Sequence, residues 1–218
     1  MRTHTIRYAL ALITTMALSA QAHALAEDDN DFKPLVEGDD INQFQLVDID
    51  SDTIAIKDGV VHITGLPNGY FATKDEYQNY VVRFEWMYER PDDLSSDAEF
   101  RGNSGVLIHI QGEHKVWPQC IEAQLQNRDA GRVFAINGAK FQGEIEAEQR
   151  QSAQREAIKV VGEWNEMEIV CKDGEITSEI NGKLIDKGQG AEPDKGQIGW
   201  QSEGAPIQFR NLRIKVLD

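Results

Sequence analysis

The sequence predicts an all-β chain, an antiparallel sandwich or barrel, on three observations. Short alternating or β-rich runs recur along its length, explicit turn dipeptides separate them, and only one stretch has helical composition. Asp58-Gly59 divides a run at 53–57 from one at 60–64, and Asp173-Gly174 divides 168–172 from Glu175–Ile180. Asn181-Gly182 then leads into 183–186, and each of these pairs supplies the positive-φ residues that a tight hairpin needs. Further strands are expected at Tyr80–Tyr88, 104–111, 118–126, 196–201 and Ile207–Val216. Residues 144–158 are rich in Glu, Gln, Ala and Arg, but Ile145, Ala147, Ala153 and Ala157 are too sparse for a buried stripe. A surface excursion or short surface helix is expected there.

Composition limits both class and partners. The chain has 218 residues, 40% hydrophobic and 27% charged, which is ordinary globular material within reach of one β domain. With 22 Lys+Arg against 37 Asp+Glu the formal charge is −15, and no basic stretch could follow a phosphate backbone, so nucleic acid is not an expected partner. Residues 1–26 read as a secretory signal peptide. Arg2 and Arg7 form a positive start, residues 8–18 an apolar run too short to span a bilayer, and Ala20-Gln21-Ala22, Ala22-His23-Ala24 and Ala24-Leu25-Ala26 offer small-residue cleavage sites. Residues 27–218, opening with a short acidic leader, are then expected as a single domain that is periplasmic or secreted and has no stable membrane insertion after cleavage. In an oxidising compartment Cys120 and Cys171 could pair or remain two separate thiols, and neither lies in a CxxC motif that would suggest structural zinc. Oligomeric state is left open.

Period-two alternation assigns side chains to faces. In the strand at Tyr80–Tyr88 the apolar set is Val82, Phe84, Trp86 and Tyr88, so Glu85 points the other way with Val81, Arg83 and Met87. In the next strand Val106, Ile108 and Ile110 are core-type, which places His109 opposite, with Gly105, Leu107 and Gln111. In the third, Ile121, Ala123 and Leu125 are core-type and Glu122, Gln124 and Gln126 are not. Taken as neighbours, these strands bring Glu85, His109, Glu122 and Gln124 to one surface. Such a set could hold a divalent metal or act as an acid and a base, and it could also be a plain solvated sheet face. Trp117 and Trp200 add large amphipathic rings nearby, and aromatic, amide and carboxylate groups together suit a sugar, whereas Trp86 and Trp164 read as structural.

Several motifs in order carry a resemblance: Asn103-Ser104-Gly105-Val106; Val116-Trp117-Pro118 with Ile121-Glu122-Ala123-Gln124; Gly162-Glu163-Trp164-Asn165; Ile180-Asn181-Gly182; and Gly196-Gln197-Ile198-Gly199-Trp200-Gln201 ahead of Phe209-Arg210-Asn211-Leu212-Arg213-Ile214. From about residue 32 to 217 the chain resembles the 3-keto-disaccharide hydrolase family, long known only as a domain of unknown function. The resemblance implies a concanavalin A-like jelly roll of two antiparallel sheets with a concave carbohydrate-binding face. It also implies cleavage of 3-keto-glycosides by elimination or hydrolysis: a ketone at C3 makes the C2 proton acidic, so a modest base can remove it and the C1 oxygen can leave. On the shared face and the family motifs together, Glu122, His109 and Glu85 are the expected catalytic residues and the ligand set of a divalent metal of unspecified identity. Gln124, Gln126, Asn103, Trp117, Trp200 and Arg210 are the expected substrate contacts, with Arg210 and Asn211 equally able to tie down the last strand. A retaining glucanase of the same fold needs two carboxyl groups roughly 5 to 5.5 Å apart, and the strand from Glu122 to Asn127 carries one, which argues against that chemistry. The alternative from another class is a non-catalytic, lectin-like sugar-binding module, and a structural envelope protein is a third reading.

Overall fold

The computed structural model describes residues 31–218; the signal-peptide expectation at 1–26 lies outside the described residues. The elements in chain order are β1 (Lys33–Pro34), β2 (Gln45–Val47), β3 (Ile54–Lys57), β4 (Val60–Ile63), β5 (Gly69–Ala72), β6 (Tyr80–Tyr88), β7 (Gly105–Gln111), β8 (Gln119–Gln124), β9 (Val133–Ile136) and β10 (Lys140–Gly143). There follow α1 (Ala147–Ala157), β11 (Asn165–Lys172), β12 (Glu175–Ile180), β13 (Lys183–Glu192), β14 (Gln197–Ser202) and β15 (Ile207–Val216). Nine strands form one antiparallel sheet, in the order β10-β13-β12-β11-β6-β15-β4-β3 with β1 added against β15. Six form the other, in the order β2-β5-β14-β7-β8-β9. Two antiparallel sheets packed face to face make the jelly-roll sandwich that the sequence predicts.

The three turn dipeptides behave as their composition dictates. Asp58 and Gly59, Asp173 and Gly174, and Asn181 and Gly182 all sit at positive φ, the geometry of a two-residue hairpin whose twist matches its strands. Alternation on β6 is also as expected: Val82, Phe84, Trp86 and Tyr88 are all buried in the main core. That core lies between the sheets. Phe71 of β5 and Trp200 of β14 stack with centroids 5.3 Å apart, and Phe84 of β6 meets the Trp200 ring edge-on at 6.1 Å from the opposite sheet. Aromatic pairs of this kind contribute about 0.5–1.5 kcal/mol each beyond the area they bury. Residues 147–157 do form a helix, held to the core by Ala153, Ala157 and the following Ile158.

A second, smaller apolar cluster lies on the far side of the six-stranded sheet, formed by Val47, Tyr70, Ala72, Leu107, Ile110 and Cys120. The cysteines therefore fall in different layers. Cys120 is in this outer cluster, Cys171 is in the main core, and both are free thiols. No described helix is long and apolar enough to cross a membrane.

Candidate functional site

The outer face of the six-stranded sheet brings Glu122, Gln201, Asn103 and Glu203 into one neighbourhood. Register sets the geometry: Glu122 of β8 lies beside Leu107 of β7, and Gly105 beside Gln124. Trp200 pairs with Val106, so Gln201 next to it falls on the other side of β14, with Gly105 and Glu122. Gly105 is a hole in this surface by necessity. A Cβ built there would lie 2.5 Å from Glu122 Oε1 and closer still to Gln201 Oε1, so the absence of a side chain lets these two oxygens occupy one small volume. Burial, at 4% exposure, and secondarily the charge of Glu203 push the Glu122 carboxyl up to about 8, so at neutral pH it is mostly the protonated acid.

Glu203, just past the end of β14, is the second carboxyl of the site. Burial raises its pKa as well, and hydrogen bonds from the side chains of Asn103 and Trp117 offset only part of that rise. Two glutamates near one another thus have different surroundings, one without a charge-stabilising donor and one with two. Two amide oxygens complete the polar lining: Asn103 Oδ1 and Gln201 Oε1 are buried and have no hydrogen-bond partner. Orphan acceptors of this sort are met by hydroxyl donors.

The loop between β7 and β8 closes over this face. The hydroxyl of Tyr70 is 3.0 Å from His114 Nδ1, and Trp117 presents its carbonyl to the Asn137 amide at 2.9 Å while its indole N–H reaches Glu203. The Trp117 ring is 50% exposed, which is the condition for an apolar platform under a sugar ring. Beside it is a cleft of about 540 Å3 bounded by Asp48, Lys115, Val116, Trp117, Ile136 and Asn137, in the size range of small-ligand pockets.

Several expected residues are elsewhere. Glu85 is on the outer face of the other sheet, because β6 pairs with β11 and β15 and not with β7. There Arg210 grips one carboxylate oxygen of Glu85 through Nε at 2.9 Å and Nη2 at 2.5 Å, Asn211 takes the other oxygen, and the guanidinium lies 4.1 Å from the centre of the Trp164 ring. Burial alone would raise the Glu85 pKa, but Arg210 and Asn211 hold it below the ordinary carboxylate value. Arg210 therefore secures β15 to β6, and its expected substrate contact with the Glu122 surface is corrected.

His109 is the second correction. The β7–β8 register slips between Ile108 and Gln111, with His109 at φ 58, and such a bulge sends one side chain to the opposite face. Ile110 accordingly joins the outer cluster while the His109 ring meets Tyr80 edge-on at 5.7 Å, is 1% exposed and lies 3.2 Å from the Pro193 carbonyl through Nδ1. Burial lowers its pKa, favouring neutral imidazole. Trp200 is the third, fully buried in the core stack and closed to substrate. Gln124 turns its Oε1 onto the backbone N–H groups of Leu125 and Gln126, and Gln126 is exposed just beyond the strand. Glu122, Asn103 and Trp117 are the expected residues that the fold brings together.

With Glu85 and His109 on other surfaces, the expected ligand set for a divalent metal is not assembled. Among the described residues no three His, Cys, Asp or Glu side chains are grouped to hold an ion. Sequence reasoning also missed Glu203 and the role of Gln201. The signal was available in 197–203: Ile198 and Trp200 are the apolar set, so Gln201 and Glu203 belong to the opposite face. The count of one carboxyl on the Glu122 strand missed the second because it comes from the segment after β14, two strands away in the sheet.

Comparison with known proteins agrees with this architecture. A family model described as the 3-keto-alpha-glucoside-1,2-lyase-like domain matches residues 31–215. A solved structure of a candidate glycosyl hydrolase from Parabacteroides distasonis ATCC 8503 superposes with TM-score 0.63 at 21% identity, covering 85% of this chain and 99% of that one. A second candidate glycosyl hydrolase from the same organism gives TM-score 0.62 at 21% identity, covering 88% and 98%. The carbohydrate-binding module CBM66 of Bacillus subtilis gives 0.52 at 9% identity, covering 79% and 95%. No curated protein matches the chain.

Proposed function

Because the chain belongs to the 3-keto-alpha-glucoside-1,2-lyase-like domain family, we propose that the outer face of its six-stranded sheet cleaves 3-keto-glycosides by elimination across C1 and C2. The carbohydrate-active character follows from the family, and the 3-keto substrate and residue roles are this proposal's own. The observation that carries it is the pair of glutamates with unequal surroundings, since an acid and a base are what elimination requires.

In this reading Glu203, which accepts hydrogen bonds from Asn103 and Trp117, takes the C2 proton, and the electron pair of that C–H bond moves to the C3 carbonyl as an enolate. The enolate then re-forms the ketone, a double bond forms between C1 and C2, and the C1–O bond breaks. Glu122, protonated at neutral pH, gives its proton to the departing oxygen, so one proton is taken up and one released and the products are an unsaturated 3-keto sugar and an alcohol. Water adding across C1 and C2 would complete net hydrolysis. Asn103 Oδ1 and Gln201 Oε1 accept sugar hydroxyls, the exposed Trp117 ring supports the ring face, and the adjoining cleft holds the aglycone. Export to the periplasm or beyond the cell is part of the proposal and rests on the N-terminal leader in the sequence.

The second reading is a sugar-binding module, favoured by the half-exposed Trp117 and by the fold shared with CBM66. A binder has no use for a buried carboxyl held protonated. The test is release of a chromogenic alcohol from its 3-keto-glucoside and, in parallel, from the same glucoside not oxidised at C3. Release from the 3-keto substrate alone, lost in Glu122→Gln and in Glu203→Gln, supports the proposal. Equal release from both substrates would point to ordinary glycoside hydrolysis, and sugar binding without release would favour the module.

A further inference from the structure

A second cavity, of about 610 Å3, opens where α1 faces the loops carrying Asp97 and Arg128, and it shares no lining residue with the Glu122–Glu203 site. The helix contributes Gln151, Gln154 and Arg155, spaced so that they fall on one helical face, and Ile158 follows at its C-cap. The cavity is cationic on a protein of net charge −15: Arg128, Arg155 and Lys159 line it. Its one acid, Asp97, is already committed, with Oδ1 on Arg90 at 2.6 Å and Oδ2 accepting from the Val161 N–H at 2.9 Å. One further observation points to a ligand. Gln154 is 3% exposed, its Nε2 donates to the Ala130 carbonyl at 2.9 Å, and this leaves Oε1 buried without a partner at the cavity wall. Arg128 stands at φ 88, a conformation that suits glycine and strains an arginine.

We propose that this cavity is a binding site for a carboxylated sugar of the uronic-acid type. The guanidinium groups of Arg128 and Arg155 match a carboxylate. The orphan acceptor on Gln154 calls for a hydroxyl donor, and the apolar side of Ile158 and Val160 suits the C–H face of a pyranose ring. A simple anion would leave Gln154 Oε1 unsatisfied, and a neutral sugar would leave the cations unmatched. The inference stands independently of the elimination chemistry.

The test is titration of the mature protein with sodium glucuronate, with glucose and with acetate, followed residue by residue by amide chemical shifts. Saturable shifts are expected around Gln154 and Arg155 with glucuronate, and much weaker binding with glucose or acetate. Arg155→Glu, an exposed position, should weaken glucuronate binding by about tenfold or more. Arg128→Gly should do the same while raising the melting temperature, because glycine relieves the backbone; a purely structural arginine would not separate affinity from stability in this way. Absence of saturable shifts at these residues, glucuronate binding only at the Glu122 face, or wild-type affinity in both variants would overturn the assignment.

Discussion

Glu85 and Glu122 are both mid-strand glutamates that point away from the main core, one from each sheet, and the fold treats them in opposite ways. Glu85 is matched by Arg210 and Asn211, and its carboxyl is held in the charged form. Glu122 faces Gln201 across Gly105, has no cation beside it in its electrostatic surroundings, and has its carboxyl pushed up to about 8. A compensated carboxylate secures strands, whereas an uncompensated one is held ready to exchange a proton. Being polar and outward-facing on a strand therefore does not mark a site. The marker is the lack of a partner that would satisfy the charge.

The sharpest way to break this comparison is to neutralise each glutamate in turn. Glu122→Gln should lower release from the 3-keto-glucoside by about 10²–10⁴-fold, the usual worth of a general acid or base, while Glu85→Gln should change it by less than about twofold. Comparable losses in both would remove the distinction between the faces.

Stability against pH gives the next effect, with opposite signs for the two groups. A carboxyl whose pKa is raised from 4.5 to about 8 on folding makes the folded state bind more protons between those values, so stability falls as pH rises through that window. Glu122→Gln should abolish up to about 1.4 kcal/mol of that loss per pH unit and leave the protein more stable than wild type above pH 8, measured by denaturant unfolding across pH. Glu85 has its folded pKa lowered, so its contribution is present above the ordinary carboxylate range and is lost as pH falls through the folded value. The Glu85→Gln deficit should accordingly appear at neutral pH and disappear in acid.

A finer test concerns the coupling between the two carboxyls. In Glu203→Gln the repulsion on Glu122 is removed, so the Glu122 titration, followed by carboxyl carbon NMR, should move below about 8. An unchanged titration would show that burial acts alone. Gly105→Ala should reduce turnover by about tenfold with little change in melting temperature, since the added methyl displaces the ends of two flexible side chains and no backbone. The smallest effect is expected from Glu85→Ala. Its partner Arg210 has a side chain 38% exposed and Glu85 itself is part-exposed, so solvent screens the pair and about 1 kcal/mol or less of stability is at stake.

The sequence was most legible where the rule is local. Asp-Gly and Asn-Gly turns need φ > 0 at both positions and have it, and the apolar phase of β6 puts Phe84 and Trp86 in the core as expected. Glu122 was correctly read as pointing away from the core. His109 was misread because one bulge residue reverses the phase beyond it, and nothing in Leu107-Ile108-His109-Ile110 announces a bulge. Trp200 was read as an amphipathic ring beside the polar surface, whereas the phase it shares with Ile198 places it inside.

What the amino-acid sequence by itself determined is which side chains of β6 and β8 turn toward the core and where the Asp-Gly and Asn-Gly hairpins reverse the chain, because a two-residue repeat and a two-residue turn are set by adjacent residues. What only the tertiary structure decided is which outside each polar face belongs to. Glu85 and Glu122 are both outward, yet β6 joins β11 and β15 in one sheet while β8 joins β7 and β9 in the other, so the same alternation sends them to opposite surfaces of the sandwich. Strand partnership is a contest among distant segments for mutual burial and backbone hydrogen bonds, and the carboxyl it brings near Glu122, that of Glu203 just past β14, lies 81 residues further along the chain.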